Sequence, residues 1–292
     1  IYREDGAEPK LFSMEKSDLR ELPEKEAEGN KGTFGKVLVV AGIPGMCGAA
    51  FLSASGAFAT GAGMVKIITP EENRIPLQTM LPEAMISCTG DWENDFNWSD
   101  VLVIGPGIGM TVKAADKVRF FLKKAKQEGK PVVLDADGLN LLARKKELLP
   151  QEAKEIILTP HMKEMAGMIG CTVSELAERR FEKLQKFVGD YGVVCALKDA
   201  RTLVAAQGRQ MFLNTAGNSA MAKAGSGDVL AGVIAGLLAQ HMSAYDAAVL
   251  GVYLHACGGD EARKRCGAYS VLAQDLTEGI KICIKETKRG EN

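Results

Sequence analysis

The sequence contains little histidine and no closely paired cysteines, which argues against a metal centre built on these residues. Its 292 residues include three histidines and seven cysteines, and no two cysteines have C-x-x-C spacing. Zinc sites and secreted disulfide frameworks are recognised by regular cysteine or histidine spacings, and no such spacing occurs here. The odd and scattered set of cysteines therefore predicts reduced side chains and a cytoplasmic location.

The chain also lacks an excess of charge of either sign. Its formal net charge is −1, which gives no electrostatic reason to expect nucleic acid or an anionic membrane as a partner. An anionic small molecule would have to be held by local groups. Neither nucleic acid nor a membrane is accordingly predicted as a partner.

The first 30 residues contain no apolar core of signal-peptide length and are rich in charge. They are predicted to be a charged arm or linker, followed by one domain over residues 31–288. Because the chain opens on Ile1, we expect it to be a piece of a longer polypeptide that has lost a preceding domain.

What the sequence does contain is a series of short apolar strands that alternate with helical segments. The runs start at Lys36, Val65, Asp100, Pro131, Glu155 and Val193, and a hairpin is predicted over residues 201–214. Such alternation predicts an α/β fold, in which helices flank both faces of a central, mostly parallel sheet. Residues 46–65 are predicted to form a loop and then a small-residue helix, and three further helices are predicted from Ser226, Ser243 and Val271.

Clusters of glycine, carboxylate and other polar residues follow these strands. They are "GIPGMCG", "GPGIG", "DADG" and "TPH", with "AGSGD" before a later helix. In parallel sheets, ligands bind beyond the C-terminal ends of the strands, so the clusters predict one ligand site at that edge. "GIPGMCG" lacks the G-x-G-x-x-G spacing and the following acid, and a Rossmann cofactor site is therefore not inferred from it.

The last cluster precedes a helix that is apolar on every face over residues 229–238. Ser226 is predicted to be its N-cap, and Asp228 falls in the first turn, where the helix dipole favours an acid. Gly225 and Gly227 favour a second role, because glycine at a helix start is costly unless a ligand approaches the backbone. That ligand would be a phosphate, and Asp228 would remove a proton from a hydroxyl that attacks phosphorus.

Four other side chains near the strand ends have both a functional and a structural interpretation. His161, at a predicted helix start, could bind a ligand as neutral imidazole or simply pack at a strand–helix corner. Lys198 would project either at the ligand edge or into solvent. Asp135 and Asp137 could hold Mg²⁺ through water; Asp137 is expected to cap the following helix instead, and both interpretations stay open for Asp135.

Seven motifs occur in order between Lys31 and the last helix. They are "KGTFGKVLVVAG", "GAAFLSASGAFATGAGMV", "GPGIG", "DADGLN", "LTPHMKEM", "LKDART" and "NTAGNSAMAKAGSGDVLAGVI". Together they resemble the ADP/ATP-dependent NAD(P)H-hydrate dehydratases, which belong to the ribokinase-like superfamily. "GSGD" alone would be less specific, because many enzymes of that superfamily share it.

The resemblance implies a carbon–oxygen lyase that repairs NADHX and NADPHX, the forms of nicotinamide cofactor hydrated at C6. The S epimer would be dehydrated, with ADP (or ATP, as in eukaryotic members) as phosphoryl donor and Mg²⁺ as cofactor; ADP would give AMP and phosphate. Family members are often fused behind an epimerase domain and are commonly tetramers. The resemblance therefore also implies a fused upstream domain and a homo-oligomer.

Site residues follow from the same resemblance. Asp228 would be the base for the C6 hydroxyl, and Gly225, Ser226 and Gly227 would form the anion hole. The substrate contacts would be Ala49 or Ala50, Gly107, His161 and Asp228. The nucleotide contacts would be Lys198, Asp199, Ala200, Arg201, Thr202 and Gly227. Members usually have glycine in place of Asp199, so this carboxylate would either weaken nucleotide binding or point to solvent. No residue is assigned to a metal.

Two other functions stay open at this stage. One is a small-molecule kinase of the same superfamily, acting on a hydroxymethylpyrimidine, a thiazole or a sugar alcohol. The other is a non-catalytic nucleotide-binding domain. "LTPHMKEM" together with "NTAGNSAMAKAGSGD" favours the dehydratase, and an acid that faces phosphate would bring a pure binding domain little benefit.

Overall fold

A single sheet of ten strands forms the centre of the computed structural model, which describes residues 11–25, 27–145, 148 and 152–289. In chain order the strands are β1 (Leu11–Phe12), β2 (Lys36–Val40), β3 (Met64–Ile68), β4 (Met85–Ser87), β5 (Val101–Ile104), β6 (Val132–Leu134), β7 (Ile156–Leu158), β8 (Val194–Leu197), β9 (Leu203–Ala205) and β10 (Met211–Leu213). Their spatial order is β1-β10-β9-β8-β7-β6-β5-β2-β3-β4.

Neighbouring strands are parallel except where β9 pairs with β8 and with β10. The predicted mostly parallel sheet is therefore confirmed, as is the hairpin over residues 201–214. Because β2 and β5 to β8 run in the same direction, the segments that follow them emerge at one edge of the sheet.

The helices are α1 (Cys47–Ala59), α2 (Arg74–Met80), α3 (Trp92–Trp98), α4 (Val112–Glu128), α5 (Asp137–Arg144), α6 (Met162–Ile169), α7 (Val173–Glu178), α8 (Arg180–Tyr191), α9 (Ser226–Leu238), α10 (Ala244–Ser270) and α11 (Ala273–Arg289). In β2, Val37 and Val39 pack with α1, α9, α10 and α11 on one face of the sheet. Leu38 and Val40 pack with α4, α5, α6 and α8 on the other. Both faces are thus covered, because successive strand residues point to opposite sides.

The predicted small-residue helix within residues 46–65 is α1, which packs against α9. No helix within the described ranges is long and apolar enough to cross a membrane. The helices α2, α3, α7 and α8 and the short strand β4 are not anticipated from the sequence.

The N-terminal segment also differs from its prediction as an arm or linker. Strand β1 pairs with β10 at the sheet edge, and Leu19 and Leu22 are buried in the same core as α1 and α9. Residues 11–22 therefore pack on the domain, because they supply a strand and two apolar anchors. The rest of the predicted arm up to residue 10 lies outside the described residues.

Glycine allows α1 and α9 to pack with their backbones in contact. A Cβ atom at Gly232 would lie 1.9 Å from the Ser53 carbonyl oxygen, and one at Gly236 would lie 2.1 Å from Thr60 Oγ1. Real Cβ contacts of that length do not occur, so alanine at either position would push the helices apart. The close packing fixes where the N-terminus of α9 meets the sheet edge.

We expect Gly232→Ala to lower the free energy of unfolding by about 1–3 kcal/mol, the usual range for overpacking a core. Urea denaturation of the purified variant would measure the change. Gly189→Ala in α8 is the matched control, because a Cβ there meets no atom within 4 Å. Equal stability of the two variants would contradict the assigned α1–α9 contact.

Candidate active site

The ends of β7 and β8 are joined directly at the predicted ligand edge. His161 and Lys198 form an isolated parallel bridge, and the Lys198 N–H donates to the Pro160 carbonyl at 2.7 Å. The sequence clusters "TPH" and "LKDART" are thereby neighbours. "DADG" follows the adjacent strand β6, which places Asp135 beside them.

Lys198 and Asp135 form a close ion pair in this cluster. Lys198 Nζ lies 2.6 Å from Asp135 Oδ1, and the Asp135 side chain is only 1% exposed. Of the two interpretations of Lys198, the structure supports projection at the ligand edge. Asp135 is held by the lysine, and this accounts for a carboxylate that would otherwise be buried without a partner.

Gly227, at the start of α9, faces this pair. A Cβ atom built on Gly227 would lie 3.1 Å from Lys198 Nζ and 3.4 Å from Asp135 Oδ2. Since α9 begins beside the ends of β6 and β8, its backbone N–H groups and the lysine ammonium group lie together. This combination of donors and positive charge suits a phosphate.

The predicted N-cap of α9 is wrong by one residue. Helix α9 starts at Ser226, and Gly225, with φ +92°, is the N-cap without a side-chain capping bond. The Ser226 N–H donates to the Lys223 carbonyl at 3.3 Å, and the Val229 N–H to the Gly225 carbonyl at 3.1 Å. Ser226, predicted to belong to the anion hole, thus has its N–H engaged, whereas within the described structure the N–H groups of Gly227 and Asp228 have no protein acceptor.

The carboxyl group of Asp228 lies in the first turn of α9, close to the ion pair. Burial raises its pKa to about 7, repulsion by Asp135 and Asp137 adds to the shift, and the Lys198 charge opposes it. A carboxyl group with a pKa near neutrality is suited to general-base catalysis, because it is partly ionised and basic enough to take a proton.

Asp137 does not cap its helix, contrary to prediction. The N-cap of α5 is Ala136, and Asp137 Oδ2 accepts a hydrogen bond from the Gly109 N–H at 2.8 Å. Asp137 therefore ties the "GPGIG" loop to the start of α5. Ala136 has φ +50°, an unusual value for a residue with a side chain, and it lies between the two aspartates.

The predicted substrate residues differ in their access to this edge. Gly107 has φ +57°, and a Cβ built on it would lie 3.1 Å from the Ala49 Cβ atom. Ala50, the alternative to Ala49, is completely buried. The geometry consequently favours Ala49 over Ala50, because the Ala50 side chain has no surface that a ligand could touch.

His161 caps α6 and still presents its ring. Its Nδ1 accepts from the Glu164 N–H at 3.1 Å, while Glu164 Oε2 accepts from the His161 N–H at 2.8 Å. The His161 side chain is 52% exposed, and with Nδ1 acting as acceptor the neutral ring carries its proton on Nε2. His161 is therefore the N-cap of α6 with an exposed ring, and ligand binding by this ring stays a prediction.

Glu164 is an acidic residue at the edge of the candidate site that the sequence reasoning missed. The H-x-x-E spacing of a capping box is nevertheless visible in "HMKE". Its side chain is buried. Burial raises the pKa of Glu164, and Lys198 is the main group that opposes the rise. Glu164 thus adds to the negative charge that surrounds the lysine.

The segment Lys198–Thr202, which is predicted to bind the nucleotide, forms a turn. One hydrogen bond lies within the turn and another joins it to a neighbouring segment. Thr202 Oγ1 donates to the Asp199 carbonyl at 3.2 Å, and Arg201 Nη1 donates to the Thr215 carbonyl at 2.9 Å. The second bond joins "LKDART" to "NTAGNSAM". Ala200 is exposed at the top of the turn.

Asp199, the departure from the family pattern, has a partner that the sequence did not reveal. Its Oδ2 accepts from Arg180 Nη1 at 3.2 Å, and the two side chains are 43% and 24% exposed. Arg180 opens α8 and lies 19 positions away in sequence. The carboxylate therefore has its charge compensated locally.

No group of three or more His, Cys, Asp and Glu side chains is arranged to hold a metal ion in the ranges that the structure describes. Asp135 and Asp137, the two sequence candidates, are bonded to Lys198 and to Gly109. A cation at this edge would have to take most of its ligands from a bound phosphate and water.

The sequence pattern of the NAD(P)H-hydrate dehydratase family matches residues 37–281. Among proteins with assigned functions, the chain is 35% identical to the ADP-dependent (S)-NAD(P)H-hydrate dehydratase of Bacillus subtilis, over 88% of this chain and 91% of that protein. It is 38% identical to the bifunctional NAD(P)H-hydrate repair enzyme of Moorella thermoacetica, over 91% of this chain and 52% of that protein. The chain thus spans about half the length of such bifunctional relatives.

Solved structures of similar proteins identify the fold of this chain. A ribokinase-like superfamily protein from Enterococcus faecalis has a TM-score of 0.87 and 27% identity, covering 98% of this chain and 99% of that chain. The ADP/ATP-dependent NAD(P)H-hydrate dehydratase of Bacillus subtilis, co-crystallised with ATP and Mg²⁺, has a TM-score of 0.81 and 31% identity, covering 94% and 97%. The predicted ribokinase-like fold is confirmed.

Proposed function

Since this chain belongs to the NAD(P)H-hydrate dehydratase family, we propose that it dehydrates (S)-NADHX and (S)-NADPHX to the reduced cofactors with ADP as phosphoryl donor. The observation that carries the proposal is the position of Asp228. It is an acid with a pKa of about 7 in the first turn of a helix whose free N–H groups adjoin Lys198.

The first step is phosphoryl transfer to the substrate. Asp228 takes the proton of the C6 hydroxyl, the oxygen attacks the terminal phosphorus of ADP, and the bond from phosphorus to the bridging oxygen breaks to release AMP. The N–H groups of Gly227 and Asp228 stabilise the negative charge on the transferred group, and the ammonium group of Lys198 holds the phosphates of the nucleotide.

The second step is elimination of phosphate. The lone pair of the ring nitrogen pushes out the phosphate on C6, and loss of a proton from C5 restores the double bond of the dihydronicotinamide. Phosphate is a far better leaving group than hydroxide, so this step needs little help from the protein. Gly107, Ala49 and the exposed His161 ring would hold the substrate during both steps.

We propose that Mg²⁺ enters with the nucleotide. When bound, it would neutralise charge on the transferring phosphate. The residues at this edge fit a Mg²⁺ ion that arrives bound to the nucleotide. Asp135 and Asp137 already bond to Lys198 and Gly109 and do not form a preformed metal site. The Bacillus subtilis relative, which was crystallised with ATP and Mg²⁺, supports both the metal and the nucleotide class.

The epimerase partner, the homotetramer and the cytoplasmic location stay predictions. The bifunctional relatives, of which this chain spans about half, support an epimerase that supplies the S epimer. Light scattering of the purified chain would determine the number of subunits.

We expect Arg180→Ala to raise the KM for ADP about fivefold with little change in kcat, because the unpaired Asp199 carboxylate would repel the phosphates in a solvent-screened setting. Initial rates over a range of ADP concentrations would measure this. Asp199→Gly in the same background should restore the KM. Arg179→Ala is the matched control, since Arg179 pairs with Glu182 instead; an equal rise in both single variants would contradict the assignment.

The deciding experiment follows absorbance at 340 nm after purified (S)-NADHX is mixed with the protein and Mg²⁺, with ADP, with ATP and with neither. Recovery only with nucleotide, accompanied by AMP when ADP is supplied, would support the proposal and identify the donor. Absence of recovery, with ATP consumed on a hydroxymethylpyrimidine or sugar alcohol, would assign the site to a kinase instead.

A further inference from the structure

An exposed methionine lies against two of the predicted substrate residues. Met46, the N-cap of α1, is 46% exposed. A Cβ atom built on Gly107 would lie 3.1 Å from Ala49 Cβ and 3.5 Å from Met46 Cε, so the end of the methionine side chain reaches the "GPGIG" loop. Neither of the two reaction steps described above uses this residue, and the sequence reasoning assigned it no role.

The loop that carries Met46 is held in place by hydrogen bonds. The Gly42 N–H donates to the Pro106 carbonyl at 2.9 Å. The Ile43 carbonyl accepts from the Met46 N–H at 2.9 Å and from the buried Asn73 side chain at 3.2 Å. The loop is therefore fixed on the "GPGIG" loop, and this anchoring determines where the Met46 side chain lies.

Helix α1 connects Met46 to the start of α9. Met46, Ala49 and Leu52 follow one another at i, i+3 spacing, which makes successive members neighbours on the helix surface. A Cβ atom at Gly225, the N-cap of α9, would lie 2.4 Å from Leu52 Cδ1, so Leu52 contacts the predicted anion hole. The helical rise places Met46 about 9 Å from Leu52 along the axis, a separation that fits a nicotinamide ring carrying a phosphate group.

Met46 offers an apolar surface in a site that is otherwise mostly polar. Asp228, Lys198 and His161 are suited to binding hydroxyl, phosphate and amide groups. The nicotinamide ring is flat and largely apolar, and ligand pockets contact such groups through apolar side chains. Met46 supplies this surface beside Ala49, and its unbranched, polarisable thioether can adapt to the shape of a ring.

The elimination step requires a surface of this kind. When phosphate leaves C6 with the electron pair of the C–O bond, the ring becomes a cation whose charge is shared between C6 and the ring nitrogen. Loss of the C5 proton then gives the reduced cofactor. Addition of water to C6, with release of a proton, would instead return the hydrate after one ADP had been consumed. Enclosed sites suppress such hydrolysis of reactive intermediates by excluding water.

We propose that Met46 covers C6 of the ring and excludes water while the cation loses its C5 proton. This role rests on the proposed function of the site and extends it from phosphoryl transfer to the fate of the intermediate. Met46 would then determine how much NADH is formed for each ADP consumed, whereas the rate of phosphoryl transfer would not depend on it.

We expect Met46→Ser to form AMP at nearly the wild-type rate but to yield at least about twofold less NADH for each AMP, because water reaches the cation. Serine is a favoured N-cap residue, so α1 should stay folded. In water labelled with ¹⁸O, NADHX recovered from the variant should carry more label at C6 than a sample without protein, because the original oxygen leaves with phosphate. Absorbance of NADH, chromatography of AMP and mass spectrometry of NADHX would measure these quantities.

Met46→Leu keeps an apolar cover and should retain the wild-type ratio of NADH to AMP. Met80→Ser is the matched control, because Met80 is 44% exposed but lines a cleft with Gln274 and Glu278 of α11. An unchanged ratio without label in Met46→Ser, a low ratio in Met46→Leu, or an equal fall in Met80→Ser would overturn the proposal.

A second readout distinguishes failure of this proposal from failure of the proposed function. If the wild-type protein does not act on (S)-NADHX, NADH itself is the probe, since the fluorescence of the reduced ring increases when a protein shields it from water. A smaller increase with Met46→Ser than with wild type would support the position of Met46 over the ring. An equal increase, or no increase with either protein, would overturn it.

Discussion

Replacement of Asp228 by asparagine is expected to reduce kcat by about 10²-fold or more while ADP still binds, because asparagine keeps the shape of the side chain but cannot take a proton. The amide would also remove a negative charge that faces the phosphates, so the affinity for ADP should not fall. Single-turnover measurements of (S)-NADHX dehydration, together with calorimetric titration of ADP, would test both halves of this expectation. A variant that turns over normally would contradict the role of Asp228 as base.

The pH dependence of the reaction provides an independent test of the same group. Because the pKa of Asp228 is raised to about 7, the rate of the wild-type enzyme should fall as the pH is lowered through 7 and the base becomes protonated. This limb of the profile should be absent from whatever residual activity the asparagine variant retains.

The free energy of unfolding should change with pH in the direction opposite to the reaction rate. Between its ordinary pKa of 3.8 and about 7, Asp228 binds its proton more tightly in the folded protein than in the unfolded chain. The free energy of unfolding due to this group therefore decreases as the pH rises through that range. We expect Asp228→Asn to melt at a higher temperature than wild type at pH 8, and at nearly the same temperature close to pH 4.

Replacement of Lys198 by alanine should lower the free energy of unfolding more than any other substitution described above. Asp135 is 1% exposed, and Lys198 Nζ is its partner at 2.6 Å. Removing one member of a buried ion pair leaves an uncompensated charge, which typically costs about 3–5 kcal/mol. Urea denaturation of Lys198→Ala at pH 7 would measure this loss.

The same variant should bind ADP more weakly, and affinity should fall more than kcat, because the lysine is assigned to the nucleotide phosphates. Asp135→Asn in the Lys198→Ala background separates the two effects. It removes the unpaired charge and should recover most of the stability, yet the KM for ADP should stay high. A double variant with normal KM, or a single variant with a purely kinetic defect, would contradict this placement of Lys198.

The sequence predicts the sheet edge and most of the site, because buried parallel strands are continuous apolar runs and their ends are marked by glycine and aspartate. Gly107 and Lys198 lie at that edge for this reason. The N-cap of α9 could not be predicted, since Gly225 takes a left-handed conformation in close packing with Leu52, where a Cβ would lie 2.4 Å from Leu52 Cδ1. Such contacts between distant segments leave no local pattern.

The residues that the sequence did not reveal are coupled across long separations. Asp137 bonds to Gly109, and Arg180 bonds to Asp199. Glu164 is the exception, because its capping-box spacing is local and visible. Motif positions thus predict which residues lie at this edge of the sheet, whereas their charge partners become known only from the folded chain.

The two-residue strand β1 has a consequence for how the protein can be handled. It pairs with β10 at one margin of the sheet, and an uncovered strand there would present free backbone donors and acceptors to any other extended chain. A version trimmed to start at residue 31 would uncover Met211–Leu213 in this way. Edge-to-edge aggregation, together with a core weakened by the loss of Leu19 and Leu22, is the defect to expect from such a truncation.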